Sequence, residues 1–374
     1  MRIGIFTLNS KSYNYGGLLQ EYALMKCVQE LGYQAEIIDY DVFSEANTFS
    51  YKRNLKYLSV NKITKKILRK IRGNKIKSTT LTQSSCVLFD EFRKKYLIFS
   101  KQYNYKNISQ LASAYDCFIC GSDQIWNPSC NIPSFFLNFV SENRNRIIYA
   151  ASIGISKLTN IEKSVYKKLL NEVDYVSVRE HSAWEMVQPL TEKEVKLVLD
   201  PTLLLKIEDW TSIINVKSEY KPYVFCYFLD MNDDKVEAAR AFALSNNLQI
   251  ISTPFKNQQY PEEFFPTYGD GIGPKEFLQL INGACLVLTD SFHASVFSII
   301  FGKQFRVFTR HSGKTDMNSR IHTLLSYIAC PHFLITPQEL VDVVIDTENS
   351  YSMDTLNRQK EESLKWLLNA IEEK

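Results

Sequence analysis

Residues 285–303 read CLVLTDSFHASVFSIIFGK, and this stretch decides the fold. Leu286, Val287 and Leu288 form an unbroken apolar run, as expected of a parallel strand covered on both faces. Asp290 and Ser291 interrupt it with strand-end and capping chemistry. Apolar and small residues from His293 to Phe301 then predict a helix, and Phe305–Phe308 a further strand. Strand, polar turn and helix in direct succession belong to βαβ units of a parallel sheet.

The same rhythm extends outward. Upstream to Pro222 come a predicted strand at Tyr223–Leu229, a helix at Asp233–Asn246, a strand at Gln249–Ser252 and a helix at Pro274–Ile281. An earlier series carries strands at Ile3–Thr7, Ala35–Tyr40, Cys117–Cys120, Arg146–Ser152, Tyr175–Arg179 and Lys196–Leu199, with helices at Gly16–Leu31, Phe89–Tyr96 and Ile161–Val173. Three helices are expected to close the chain, around 320–329, 337–346 and 353–372. Such alternation predicts an α/β protein of two Rossmann-like, doubly wound parallel-sheet domains facing a cleft, similar to the GT-B architecture. The expected division is 1–210, with a basic insertion at 46–80, then 211–350, and a terminal helix at 351–374 packing back on the first domain.

Composition narrows the function classes. A chain of 374 residues with 45% hydrophobic and 23% charged residues is ordinary for a globular protein of two domains. A net charge of +3 gives no case for nucleic acid. No apolar run reaches the roughly 18 residues a membrane span needs, and the first residues enter a strand directly, so the expected location is the cytoplasm. The eight cysteines are scattered, mostly in apolar runs, as reduced thiols would be. In the single CxxC, strand alternation points Cys117 and Cys120 to opposite faces; no metal site is expected. The stretch from Ala46 to Phe89 holds no acid and many lysines and arginines. Its apolar stripe at Val60, Ile63, Ile67, Leu68 and Ile71 fits a helix packed on its own domain, or one resting peripherally on an anionic membrane or a phosphorylated lipid-linked acceptor.

Four strand ends carry chemistry, because ligands of open α/β sheets bind beyond the carboxyl ends of strands. Asn14-Tyr15-Gly16-Gly17 lets backbone approach a ligand at a helix start, or is simply a glycine-assisted turn. Gly121-Ser122-Asp123-Gln124-Ile125-Trp126 puts hydrogen-bonding groups beside a flat ring, a mixture suited to sugars. Arg179 can fork onto a carboxylate or phosphate, or pair with Glu180. His293, at a helix start with small neighbours Ala294 and Ser295, suits an anion site or proton transfer.

Taken with Ser152-Ile153-Gly154, Leu199-Asp200-Pro201-Thr202-Leu203-Leu204 and Ile299-Ile300-Phe301-Gly302-Lys303, these motifs resemble the polysaccharide pyruvyl transferase family in order and spacing, from residue 1 to about 330. Many members have Gly where this chain has Ala294. The resemblance implies transfer of the pyruvyl group of phosphoenolpyruvate to a sugar of a surface polysaccharide (capsule or exopolysaccharide) or lipid-linked glycan precursor, forming a ketal and releasing phosphate. Phosphoenolpyruvate is then a co-substrate, and no cofactor or metal is implied. The expected catalytic residues are His293 and Asp123, and the expected donor-binding residues Arg179, His293, Ser291 and Lys314, with Lys303 or Arg320 as substitutes for Lys314. The first domain is the expected acceptor side, through Asn14, Tyr15, Gly16, Gly17, Gly121, Ser122, Gln124 and Trp126, and the second domain the donor side. Two other readings stay open: a GT-B glycosyltransferase using a nucleotide sugar, for which Asp270 and Glu276 are available, and a non-catalytic glycan-binding subunit.

Overall fold

The computed structural model describes residues 1–8, 12–42, 44–45, 82–130, 132–141, 143–214, 220–253, 271–310, 318–345 and 351–373. The basic insertion at 46–80, Asp270 and Lys314 lie outside the described residues.

The first half of the chain supplies strands β1 (Arg2–Phe6), β2 (Gln34–Ile37), β3 (Tyr40–Asp41), β4 (Tyr103–Asn104), β5 (Cys117–Asp123), β6 (Asn145–Ala151), β7 (Tyr175–Val178) and β8 (Val195–Leu197). Six of them form one sheet in the order β2-β1-β5-β6-β7-β8, and every pairing is parallel. The second half supplies β9 (Tyr223–Tyr227), β10 (Gln249–Ser252), β11 (Leu286–Thr289), β12 (Phe305–Phe308) and β13 (Leu334–Ile335), ordered β10-β9-β11-β12-β13 and again all parallel. In each sheet the chain order reverses beside the first strand, between β1 and β5 and between β9 and β11, where ligands of such sheets bind.

The helices are α1 (Tyr15–Glu30), α2 (Gln83–Tyr96), α3 (Asn160–Leu170), α4 (His181–Val187), α5 (Ile207–Thr211), α6 (Asp233–Ser245), α7 (Pro274–Gly283), α8 (Phe292–Ile300), α9 (Ser319–Tyr327) and α10 (Asp354–Glu372). Their starts carry legible caps: Asn14 accepts from Gly17 N–H at α1, Thr159 and Glu162 form a capping box at α3, and Ser291 caps α8. The expected helix at 337–346 is instead a short 3-10 helix, Pro337–Asp342, which ends where Val343 turns to extended backbone. Leu340 is buried, and Val343 and Ile345 pack against the same core from that non-helical segment.

Each sheet is apolar on both faces. Ile3, Ile5, Cys117 and Ile119 face one way, and Phe6, Phe118 and Cys120 the other. The first of these faces continues without a break through α1 and α7 into the second domain. At the join, Tyr15 stacks on Phe277 at 4.4 Å, and Trp210 meets both Tyr22 and Phe297. The terminal helix α10 returns to the first domain: Asn145 Nδ2 donates to the Ala370 and Ile371 carbonyls, and Ser363 Oγ accepts from Leu199 N–H.

Candidate active site at the domain boundary

The carboxyl ends of β5, β7 and β8 meet the first turns of α8 and α9, and a buried ionic cluster forms there. Arg179, just past β7, is 3% exposed. Its Nη1 donates to Asp200 Oδ2, its Nη2 to Asp123 Oδ1 at 3.2 Å, and its Nε stands 3.9 Å from Glu180 Oε2. Its guanidinium lies over the Phe292 ring at 4.3 Å. Arg320 of α9 enters from the second domain, with Nη1 3.8 Å from Asp123 Oδ1. In the amide orientation that satisfies both groups, Gln124 Oε1 accepts from the two Arg320 terminal nitrogens at 3.0 and 3.2 Å.

Asp200 is the hub. Its Oδ1 accepts from Thr202 N–H at 3.1 Å and Thr202 Oγ1 at 2.6 Å. Its Oδ2 accepts from Arg179 and from Ser122 Oγ at 3.3 Å, and faces His293 Nε2 at 3.6 Å. His293 is 8% exposed, and its Nε2 has no hydrogen-bond partner among the described residues. The opposite side of the ring abuts Gly16 of α1, where an added Cβ would stand 2.1 Å from Nδ1. Helix start and histidine come from different domains, so the site exists only while they are joined.

Charge is nearly balanced within the cluster. Burial pushes the Asp200 and Asp123 carboxyls up, but Arg179 and His293 more than offset it and hold both below the usual carboxylate range. Burial dominates for Glu180, whose pKa is raised against the pull of Arg179 and Arg320. Glu180 Oε1 accepts from Ser152 Oγ at 2.8 Å and from Ile153 N–H at 3.2 Å. Arg320 is pushed down to about 10 by burial and by the neighbouring charge of Arg179, with Arg310 adding to it. A bound anion beside Arg320 would relieve that crowding.

A profile described as polysaccharide pyruvyl transferase matches residues 14–312. The chain belongs to the polysaccharide pyruvyl transferase family. That membership makes it a transferase of the pyruvyl transferase class acting in polysaccharide biosynthesis. No curated protein matches it. Among solved structures it is similar to the UDP-GlcNAc 2-epimerase of Methanocaldococcus jannaschii, at 12% identity and a TM-score of 0.50, over 98% of this chain and 99% of that one. It is also similar to the UDP-N-acetylglucosamine 2-epimerase of Rickettsia bellii, at 8% identity, TM-score 0.51, over 99% and 97%. S. aureus MnaA, solved with UDP, gives 14% identity, TM-score 0.51, over 100% and 99%. At such identities the likeness shows the fold alone, a GT-B-like pair of domains.

The structure sorts the expected site residues of this pyruvyl transferase. Asp123, Gln124, Arg179 and His293 come together, and Arg320 joins them. Asp200 had no role assigned from sequence, although it follows the apolar pair Val198-Leu199 at a strand end, the position rule that picked out the others. Ser291 faces inward as the cap of α8, and Asp290 is a structural tie that accepts from Leu229 N–H, Asp230 N–H and Lys235 Nζ. Lys303, half-buried on the loop before β12, has its pKa lowered by burial.

Several expected acceptor contacts need correction. Trp126 is 1% exposed, stacked on Phe136 at 4.9 Å with its Nε1 donating to the Phe135 carbonyl, so its ring is core and not a sugar platform. Tyr15 is equally buried, its hydroxyl donating to the Ile272 carbonyl and meeting Thr253 Oγ1. Asn14 is occupied as a helix cap, and Gly16 makes room for His293. Gly121 and Ser122 lie inside β5; a Cβ at Gly121 would stand 1.9 Å from the Tyr149 carbonyl oxygen. Arg179 gives one terminal N–H each to Asp200 and Asp123, while its Nε has no hydrogen-bond partner among the described residues. Glu276 caps α7 by accepting from Gly273 N–H at 3.0 Å, so it is not poised to hold a ribose.

Proposed function

We propose that this protein transfers the pyruvyl group of phosphoenolpyruvate to a sugar diol of a surface polysaccharide or lipid-linked precursor, forming a cyclic ketal and releasing phosphate. The observation that carries the reading is the buried His293 Nε2, unpartnered among the described residues, beside two arginines at a domain boundary. The donor's charges suit Arg320 and the positive end of the α8 dipole. His293 delivers a proton to the methylene carbon as one sugar hydroxyl attacks C2. The first hydroxyl's proton returns to His293; phosphate then leaves C2 and carries off the proton of the second hydroxyl as that hydroxyl closes the ring. Asp123, held deprotonated, suits orienting the attacking hydroxyl more than removing its proton, since a strong base needs a pKa nearer neutrality. The reaction uses phosphoenolpyruvate as co-substrate and asks for no further cofactor. An activated, lipid-linked acceptor at the cytoplasmic face of a membrane is consistent with the basic stretch at 46–80, and no described helix is long and apolar enough to cross a membrane.

The test is inorganic phosphate release from phosphoenolpyruvate across a panel of sugar-lipid acceptors, with UDP-, GDP- and CMP-sugars screened in parallel by thermal shift. Acceptor-dependent phosphate release is the expected result. Stabilisation by a nucleotide sugar with no phosphate release would replace this reading by a glycosyltransferase.

A further inference from the structure

We propose that Asp200 is the positioning residue for His293: reaching across the domain boundary, its Oδ2 keeps the imidazole proton on Nε2, the nitrogen that faces the buried cluster. The inference rests on His293 as proton donor in the reading above. In a neutral imidazole one nitrogen donates and the other accepts, and the partner of one ring nitrogen decides which. The partner here is rigid. Thr202 N–H and Oγ1 hold Oδ1 at 3.1 and 2.6 Å, and Ser122 Oγ and Arg179 approach Oδ2, so the carboxylate cannot turn away. Oδ2 stands 3.6 Å from Nε2, an ion-pair and not a hydrogen-bond distance, and its negative charge on that side of the ring favours the tautomer with the proton on Nε2 in the free protein. Asp200 is fully buried, and Arg179 keeps it deprotonated despite that burial.

The other groups around the ring do not substitute for it. Asp123 at the end of β5 acts on His293 only through its charge, its Oδ1 being shared by Arg179 and Arg320. Glu180, beyond β7, is turned to Ser152 and Ile153. Arg179 and Arg320 are cations and cannot accept a proton from Nε2. From α1 the ring meets the backbone of Gly16, which brings no titratable side chain.

Long-range proton–nitrogen NMR of the histidine rings in the free protein tests this without any substrate. The His293 signals are those lost in His293→Gln. The neutral ring is expected to carry its proton on Nε2. In Asp200→Asn the Nδ1-protonated form should gain population. A wild-type ring protonated on Nδ1 overturns the proposal, as does a folded Asp200→Asn with an unchanged tautomer. If Asp200→Asn does not fold, the wild-type spectrum alone decides, and Asp200→Glu supplies the variant. With substrate, kcat of Asp200→Asn should fall about 10²–10⁴-fold while the phosphoenolpyruvate KM stays within a few-fold of wild type. If the protein does not release phosphate from phosphoenolpyruvate, the reaction assignment falls while the tautomer result still reads the Asp200–His293 pair.

Discussion

Gly16 and His293 come from different domains and touch so closely that a Cβ at residue 16 would stand 2.1 Å from Nδ1 and 2.4 Å from Cγ of the imidazole. No alanine fits there unless the ring turns or α1 withdraws. Gly16→Ala should therefore misplace His293 from Asp200. The expected result is a kcat loss of about 10²-fold or more, the usual penalty for a small displacement of a reacting group. Steady-state kinetics measured beside a thermal melt check it; full activity would show that the two residues separate during turnover.

Arg179 now has a structural as well as an electrostatic task. Removing it strands Asp200, Asp123 and Glu180 in a buried site with one cation fewer. Arg179→Met should cost about 3–5 kcal/mol of stability, as expected for breaking one side of a buried ion pair. Urea unfolding reads this directly. A variant that is as stable as wild type and changes only the donor KM would show Arg179 to be a plain donor contact.

The donor contact is expected at Arg320. Arg320→Gln should raise the phosphoenolpyruvate KM by about tenfold or more, the size of one lost charge-assisted hydrogen bond. Calorimetric titration of phosphoenolpyruvate into both proteins gives the comparison, and equal affinities would move the donor elsewhere.

Glu21 on α1 provides a pH test independent of catalysis. It is fully buried, both oxygens lack a hydrogen-bond partner among the described residues, and burial pushes its pKa up to about 8, with Arg93 pulling weakly the other way. Between its ordinary value and 8, the folded protein therefore holds a proton that the unfolded chain releases. The stability this contributes is complete below the ordinary carboxyl range and is lost as pH rises toward 8, by up to about 1.4 kcal/mol per pH unit. Glu21→Gln should remove that slope. Parallel unfolding curves at pH 6 and 8 measure it, and an unchanged slope in the variant would rule out a neutral buried Glu21.

Trp126 separates core from site. Trp126→Ala should destabilise the first domain by about 3–5 kcal/mol. Trp126→Phe should fold and leave the acceptor KM unaltered, whereas a specific rise in that KM would return the indole to the acceptor site.

Much of this was legible in the chain. Continuous apolar runs such as Leu286–Leu288 marked strands buried on both faces, and the polar residues that end them marked the site. What local reading missed depended on distant partners. Trp126 follows a hydrogen-bonding loop and looks like a sugar platform until Phe136 and Tyr166 cover it. The Glu180 pairing foreseen for Arg179 gives way to Asp200, 21 residues on, as the stronger partner. Arg320 could not be told from Lys303 or Lys314 because only tertiary packing puts α9 beside Asp123.

Whether His293 acts on phosphoenolpyruvate at this boundary is read from acceptor-dependent phosphate release by wild type and His293→Ala, both verified as folded by their melting curves. Wild type should release phosphate, and the rate should fall at least about 10²-fold in the variant. A folded His293→Ala releasing phosphate at the wild-type rate would contradict that role of His293.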